Sequence, residues 1–319
     1  NTIQNFGGGG VASTAYGIYS SYNANLTIGH NTIANAAGGG SNAASTIYGI
    51  YTPSGSTQSG GNLVIQNNNF TISQGSTAAL NGIYNALSCS SVTISENFFG
   101  TGAFASTSSS YLIYNSSSTP NVNVTFNSTA GAISKTGSSG ALYCYYNAGS
   151  GTGGTETVAN NNFSNITVAG TSTLYGIYLS TTGANQYRDV VGNTLSFLNA
   201  GTGSFYGIYC AYTVLTNVFQ NLISDVSVGG TVYAIQAGGT STVTINTYNN
   251  TLENITTSGT TLYGFYCVTA TNNNIYRNRI RNLTANSTVS GIYVSSGTNL
   301  QFYNNFISDL KATTSSGVS

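Results

Sequence analysis

The stretch NTLENI, Asn250 to Ile255, decides the fold, because the chain keeps returning to it. It reads Asn, any residue, an apolar residue, any residue, Asn or Asp, then usually an apolar residue. The same phrase stands as NTIQNF from Asn1, NTIANA from Asn31, NNFSNI from Asn161, NLISDV from Asn221, NRIRNL from Asn278 and NFISDL from Asn305. Weaker copies start at Asn68, Asn97, Asn127 and Asn193. Successive starts lie 27 to 37 residues apart over the whole chain. Such a period is the mark of a repeat architecture.

A second phrase, Tyr-Gly-Ile-Tyr, alternates with the first. It runs from Tyr16 to Tyr19, and again at Tyr48, Asn81, Tyr111, Tyr143, Tyr175, Tyr206, Tyr233, Tyr263 and Ser290. Apolar runs such as Leu63-Val64-Ile65, Val92-Thr93-Ile94 and Val122-Asn123-Val124 precede the Asn phrase. They are rich in β-branched residues and bounded by turn formers, which favours short strands. Three short strands and three turns per roughly 30 residues describe one coil of a parallel β-helix. The prediction is an all-β fold, a single continuous β-solenoid over residues 1–319 with about 10–11 coils. The stretch from Tyr51 to Asn62, with Pro53 and several Gly and Ser, reads as an inserted loop.

Within the Asn phrase the apolar residues fall at offsets two and five, which breaks strict strand alternation. The chain must bend between them, at Asn5, Asn35, Asn165, Asp225, Asn254, Asn282 and Asp309. Asn and Asp tolerate the left-handed conformation such a bend needs. Stacked at about 4.8 Å per coil, Asn amides there can also bond from coil to coil. In the Tyr phrase the third column is apolar throughout, from Ile18 to Ile292, and should face the core. By alternation, the second column, mostly Gly, and the fourth should face outward. The fourth column holds Tyr19, Tyr51, Tyr84, Tyr114, Tyr146, Tyr178, Tyr209, Tyr266 and Tyr293. It reads as a stacked aromatic surface, with a structural purpose or as a platform for glycans or another partner.

Charged residues are only 4% of the chain and the net charge is zero, so nothing favours nucleic acid or an anionic membrane. No apolar run approaches the length of a membrane span. The acids are Glu96, Glu156, Asp189, Asp225, Glu253 and Asp309. Asp225 and Asp309 share a column three coils apart, about 14 Å. Glycosidase carboxylate pairs sit about 5–9.5 Å apart. No calcium cage of six to eight oxygens assembles from these residues by register. No cofactor, metal or catalytic residue is therefore expected. Should there be a lyase or hydrolase site, loops around Glu156, Arg188 and Asp189 would carry it.

Arg281 should stack beside Glu253 as a surface ion pair, a contact of about 0–1 kcal/mol. Arg277 and Arg279 share that outward face, and His30 lies on an exposed column. Cys210 and Cys267 fall two coils apart, about 10 Å, too far for a disulfide, whose Cα atoms lie within about 7 Å. Cys89 and Cys144 also read as isolated small residues in or near the core.

The Asn-x-apolar-x-Asn coils resemble right-handed parallel β-helix proteins of the pectin-lyase-like superfamily. The Tyr-Gly-Ile-Tyr style resembles long secreted repeat proteins of Bacteroidota, exported by the type IX system and used as surface adhesins or matrix. That resemblance implies an extracellular, cell-surface location and an adhesive or structural role. Because the repeat reaches both ends, more protein or another subunit is expected to stack there.

Overall fold

A computed structural model of the chain describes residues 1–4, 6, 13–21, 25–35, 45–54, 60–100, 102–129, 131–180, 187–211, 214–238, 243–268 and 270–314. Asn5 and part of the inserted loop after Tyr51 lie outside the described residues. All regular elements among those described are strands. They form three sheets, two with one strand per coil and a 13-stranded one to which two coils contribute two strands each. The Asn phrases build the first sheet, from Thr2–Gln4 to Phe306–Ala312. The Tyr phrases build a 10-stranded sheet, from Ala15–Tyr19 to Thr288–Val294. The runs before the Asn phrase build another 10-stranded sheet, from Leu26–Gly29 to Asn299–Tyr303. Neighbouring strands are parallel and one coil apart in sequence, as in Leu252↔Ile280 and Tyr175↔Tyr206. The molecule is a parallel β-solenoid.

One apolar core runs between the sheets. The expected inward columns are there: Ile33, Phe163, Leu195, Ile223, Leu252 and Ile280 at offset two, and Ile166, Leu198, Val226, Ile255 and Leu283 at offset five. The third Tyr-phrase column is inward too, with Ile50, Ile83, Ile113, Tyr145, Ile177 and Ile208 fully buried.

The bend between offsets two and five is real. Asn165, Asp225, Asn254, Asn282 and Asp309 have φ between 54° and 59° and are skipped in the strand pairing. Asn35 makes different contacts: it is buried, and its amide brackets the main chain of Ser73. A second left-handed corner sits just before the phrase, at His30, Asn67, Glu96, Phe126, Asn160, Gln220, Asn249, Arg277 and Asn304.

One expectation of alternation fails. The second Tyr-phrase column faces inward, not outward: Leu112, Cys144 and Ala234 are buried. The strand Thr173–Leu179 alternates up to Gly176, then places Gly176 and Ile177 both inside. Pairing skips this column, so the strand turns a corner there. Glycine is needed because the backbone runs close to its neighbours. A Cβ on Gly82 would stand 2.6 Å from the Leu112 carbonyl oxygen and 2.5 Å from the Phe99 ring. The corner also puts the first and fourth columns on the same outer surface.

Candidate functional surface

The most continuous polar feature is buried. The first Asn of each phrase forms a ladder from Asn1 through Asn31, Asn68, Asn97, Asn127, Asn161, Asn193, Asn221, Asn250 and Asn278 to Asn305. At Asn97, Nδ2 donates to Asn127 Oδ1 at 3.0 Å and to the Ile65 carbonyl at 2.9 Å. Its Oδ1 accepts from the Asn68 backbone N–H and the Asn68 side chain. Both donors and both lone pairs are satisfied, which is what a buried amide requires. Among the described residues, the ladder expected at the bend slots is a short, exposed one, with Asn254 donating to Asp225 and Asn282 to Asn254.

The outward surface of the Tyr sheet carries two aromatic columns. The fourth column, from Tyr19 to Tyr293, lies against a first column of Tyr16, Tyr48, Tyr111, Tyr143, Tyr175, Tyr206, Tyr233 and Tyr263. From Tyr111 to Tyr263 the first column is stacked at every step, with centroids 4.5–5.4 Å apart. Most fourth-column steps are tilted, such as 59° between Tyr84 and Tyr114. Tyr19 and Tyr293, in the first and last of these strands, are 54% and 40% exposed. Between them the rings are half-buried by one another. A sugar platform needs an open ring face, and along the stacked first column neighbouring rings cover one another's faces. Burial is the main cause that raises Tyr48 and Tyr175 to about 12, with neighbouring tyrosines adding to it. A third aromatic column, Phe219, Tyr248, Tyr276 and Tyr303, stacks on the remaining sheet within 5° of parallel. Its spacing of 29, 28 and 27 residues was visible in the sequence.

Glu156, Arg188 and Asp189 are not on loops. They lie in the strands Thr155–Ala159 and Tyr187–Val191, where Glu156 pairs in register with Arg188. Both side chains are 0% exposed, and Arg188 Nε meets Glu156 Oε2 at 2.8 Å. They occupy a core column that holds Leu63, Val92 and Val122 in earlier coils. Glu156 Oε1 also accepts from the Tyr145 hydroxyl and from Asn147. Asn147 ends an internal ladder of Thr52, Asn85, Asn115 and Asn147. Its signal in the sequence is the Asn directly following three Tyr phrases. Asp189 faces outward and accepts from Asn217, the start of another amide column through Asn246 and Asn274.

Lys135 is a buried cation that sequence reasoning missed. Its ammonium donates to the carbonyls of Ser106, Gly137 and Ser139 and to the Ser172 hydroxyl. Burial lowers its pKa.

The remaining candidates fall where register placed them. Arg281 Nε meets Glu253 Oε2 at 2.7 Å in a partly exposed pair. His30, Arg277 and Arg279 are exposed. Asp225 and Asp309 are separated by Asn254 and Asn282 in their column, three coils apart. All four cysteines are buried and free, with Cys210 and Cys267 separated by Ala237. No group of three metal-ligating side chains occurs among the described residues. No helix among them is long and apolar enough to cross a membrane. No family model, no curated protein and no solved structure matches this chain.

Proposed function

We propose that this chain is a non-catalytic structural rod, a segment of an extracellular cell-surface or matrix protein with an adhesive role. The observation that carries this reading is the use of its side chains. The Asn ladder, the aromatic columns and the buried ion pair join one coil to the next. The resemblance to pectin-lyase-like coils and to secreted Bacteroidota repeat proteins supports the same reading. So does the near absence of charge, which lowers the repulsion that keeps rods apart.

The proposed partner is a second copy of this chain. Imaging of native material tests the reading. Slender rods or filaments are expected, and compact particles that cleave uronate polymers or neutral glycans would overturn it.

A carbohydrate-binding rod is the second reading, favoured by the two outward tyrosine columns. It requires a glycan array signal that falls on Tyr178→Ala or Tyr209→Ala. The structural reading requires no such signal.

A further inference from the structure

The tyrosine columns hold a chemical arrangement that a structural role does not use. Tyr143 and Tyr175 have ring centroids 4.5 Å apart and planes 4° from parallel. The two residues are register partners in neighbouring strands. Rings in contact and parallel, on register partners, also bring together the carbons ortho to their hydroxyls. Tyr248, Tyr276 and Tyr303 repeat the geometry, with 4.9 Å and 3° at both steps. Phe219 ends that column with an equally parallel ring that lacks the hydroxyl. None of these tyrosines is fully buried, and Tyr303 is exposed.

An ortho carbon is where a phenoxyl radical carries unpaired spin. Two such radicals ordinarily meet by diffusion. Here the fold holds the partners together, although Tyr143 and Tyr175 are 32 residues apart in sequence. Fixed proximity of this kind converts a bimolecular coupling into an effectively unimolecular one.

We propose that the stacked tyrosine columns are a modification site, at which a one-electron oxidant such as a peroxidase haem couples same-column neighbours into dityrosine and staples coil to coil. Each phenol gives one electron to the oxidant and its proton to water. The two phenoxyl radicals then form one carbon–carbon bond between ortho positions. The hydrogen on each of those carbons moves to its ring oxygen and restores both phenols. In sum, two tyrosines lose two electrons and two protons, and two oxidant equivalents are each reduced by one electron.

The test is photo-oxidation of the full chain in dilute solution, with tris(bipyridyl)ruthenium and persulfate as the source of a one-electron oxidant, followed by peptide mapping. The expected result is dityrosine fluorescence from links within one chain, joining Tyr143 to Tyr175, Tyr248 to Tyr276 and Tyr276 to Tyr303. Tyr143→Phe keeps the ring and removes the phenol. It should lose the first link and retain the second, which also reports that the variant is folded. Phe219→Tyr should add a link from position 219 to Tyr248. Three results would overturn the proposal: links only between chains, links among tyrosines that are not stacked, or the same link pattern in urea-unfolded protein. Absence of dityrosine would do the same.

Discussion

At the scale of the residue, the buried Asn column is the least replaceable feature. Asn97→Ala removes the acceptor of two N–H groups on Asn68 and the donor to Asn127 and Ile65. Each unpaired buried group costs about 1–3 kcal/mol, so a loss of roughly 3 kcal/mol or more in urea unfolding is expected. Asn97→Asp keeps the acceptors but turns the donor end into a carboxylate facing two oxygens. Its pKa must therefore rise on folding. The sign follows: the penalty is absent below the unfolded pKa, about 3.9, and grows as pH rises above it. The variant should be most stable near pH 3 relative to wild type, and a difference independent of pH would refute the ladder geometry. The Glu156–Arg188 pair makes a different prediction. Glu156→Val leaves the Arg188 charge buried and should cost about 3–5 kcal/mol, while the double change to Val should cost less than the sum of the two single changes, its remaining loss coming from the Tyr145 hydroxyl and the Asn147 amide that lose Glu156. Phe197 occupies the bend slot at φ 54° and is exposed. Phe197→Asn relieves a left-handed strain of about 1–2 kcal/mol and should raise the denaturation midpoint.

At the scale of the element, the Tyr strand shows how far periodicity carries and where it stops. The apolar third column was legible because it repeats without exception. The inward second column was not, since alternation holds only while the backbone runs straight, and the corner at Gly176 places two successive residues inside. The same corner explains the unforeseen double aromatic surface. Gly207→Ala tests it: the added Cβ would stand 2.4 Å from the Ala234 carbonyl oxygen and 2.7 Å from Ile223 Cδ1. A loss of about 1–3 kcal/mol is expected. An unchanged midpoint would mean the column is open. The tyrosines give a pH test. Tyr48 and Tyr175 ionise near 12 in the fold, above the ordinary value of 10.0. Stability is thus complete below pH 10 and lost as pH rises through about 12, because the unfolded phenols release protons first. Absorbance of tyrosinate should rise together with loss of β circular dichroism in that window. Full ionisation near pH 10 with the fold intact would contradict the packing.

At the scale of the whole molecule, the period near 30 residues was enough to read a solenoid, its three strands per coil and the columns that stack. Polar residues inside were harder to read. Glu156, Arg188 and Lys135 are charged, and charged side chains are rarely buried without partners, so composition assigns them to the surface. Their partners come from other coils: Ala211 for Arg188, and Ser106 and Ser172 for Lys135. Such three-dimensional pairing leaves no local motif. Asn165, Asp225, Asn254, Asn282 and Asp309 stand at left-handed bends, but the continuous ladder belongs to the first Asn of the phrase, which the chain buries, and not to the Asn at the corner. Solenoid stability is nearly a sum of coils and their interfaces, so a break in one rung should act locally.

Hydrogen exchange of Asn side-chain amides, followed by NMR on protein labelled at Asn, tests the central claim most directly. Strong protection is expected for the buried rungs from Asn31 to Asn278, fast exchange at the exposed Asn254 and Asn282, and in Asn127→Ala loss of protection confined to the neighbouring rungs Asn97 and Asn161. Rapid exchange at all of these amides would contradict a rod held together by a buried Asn ladder.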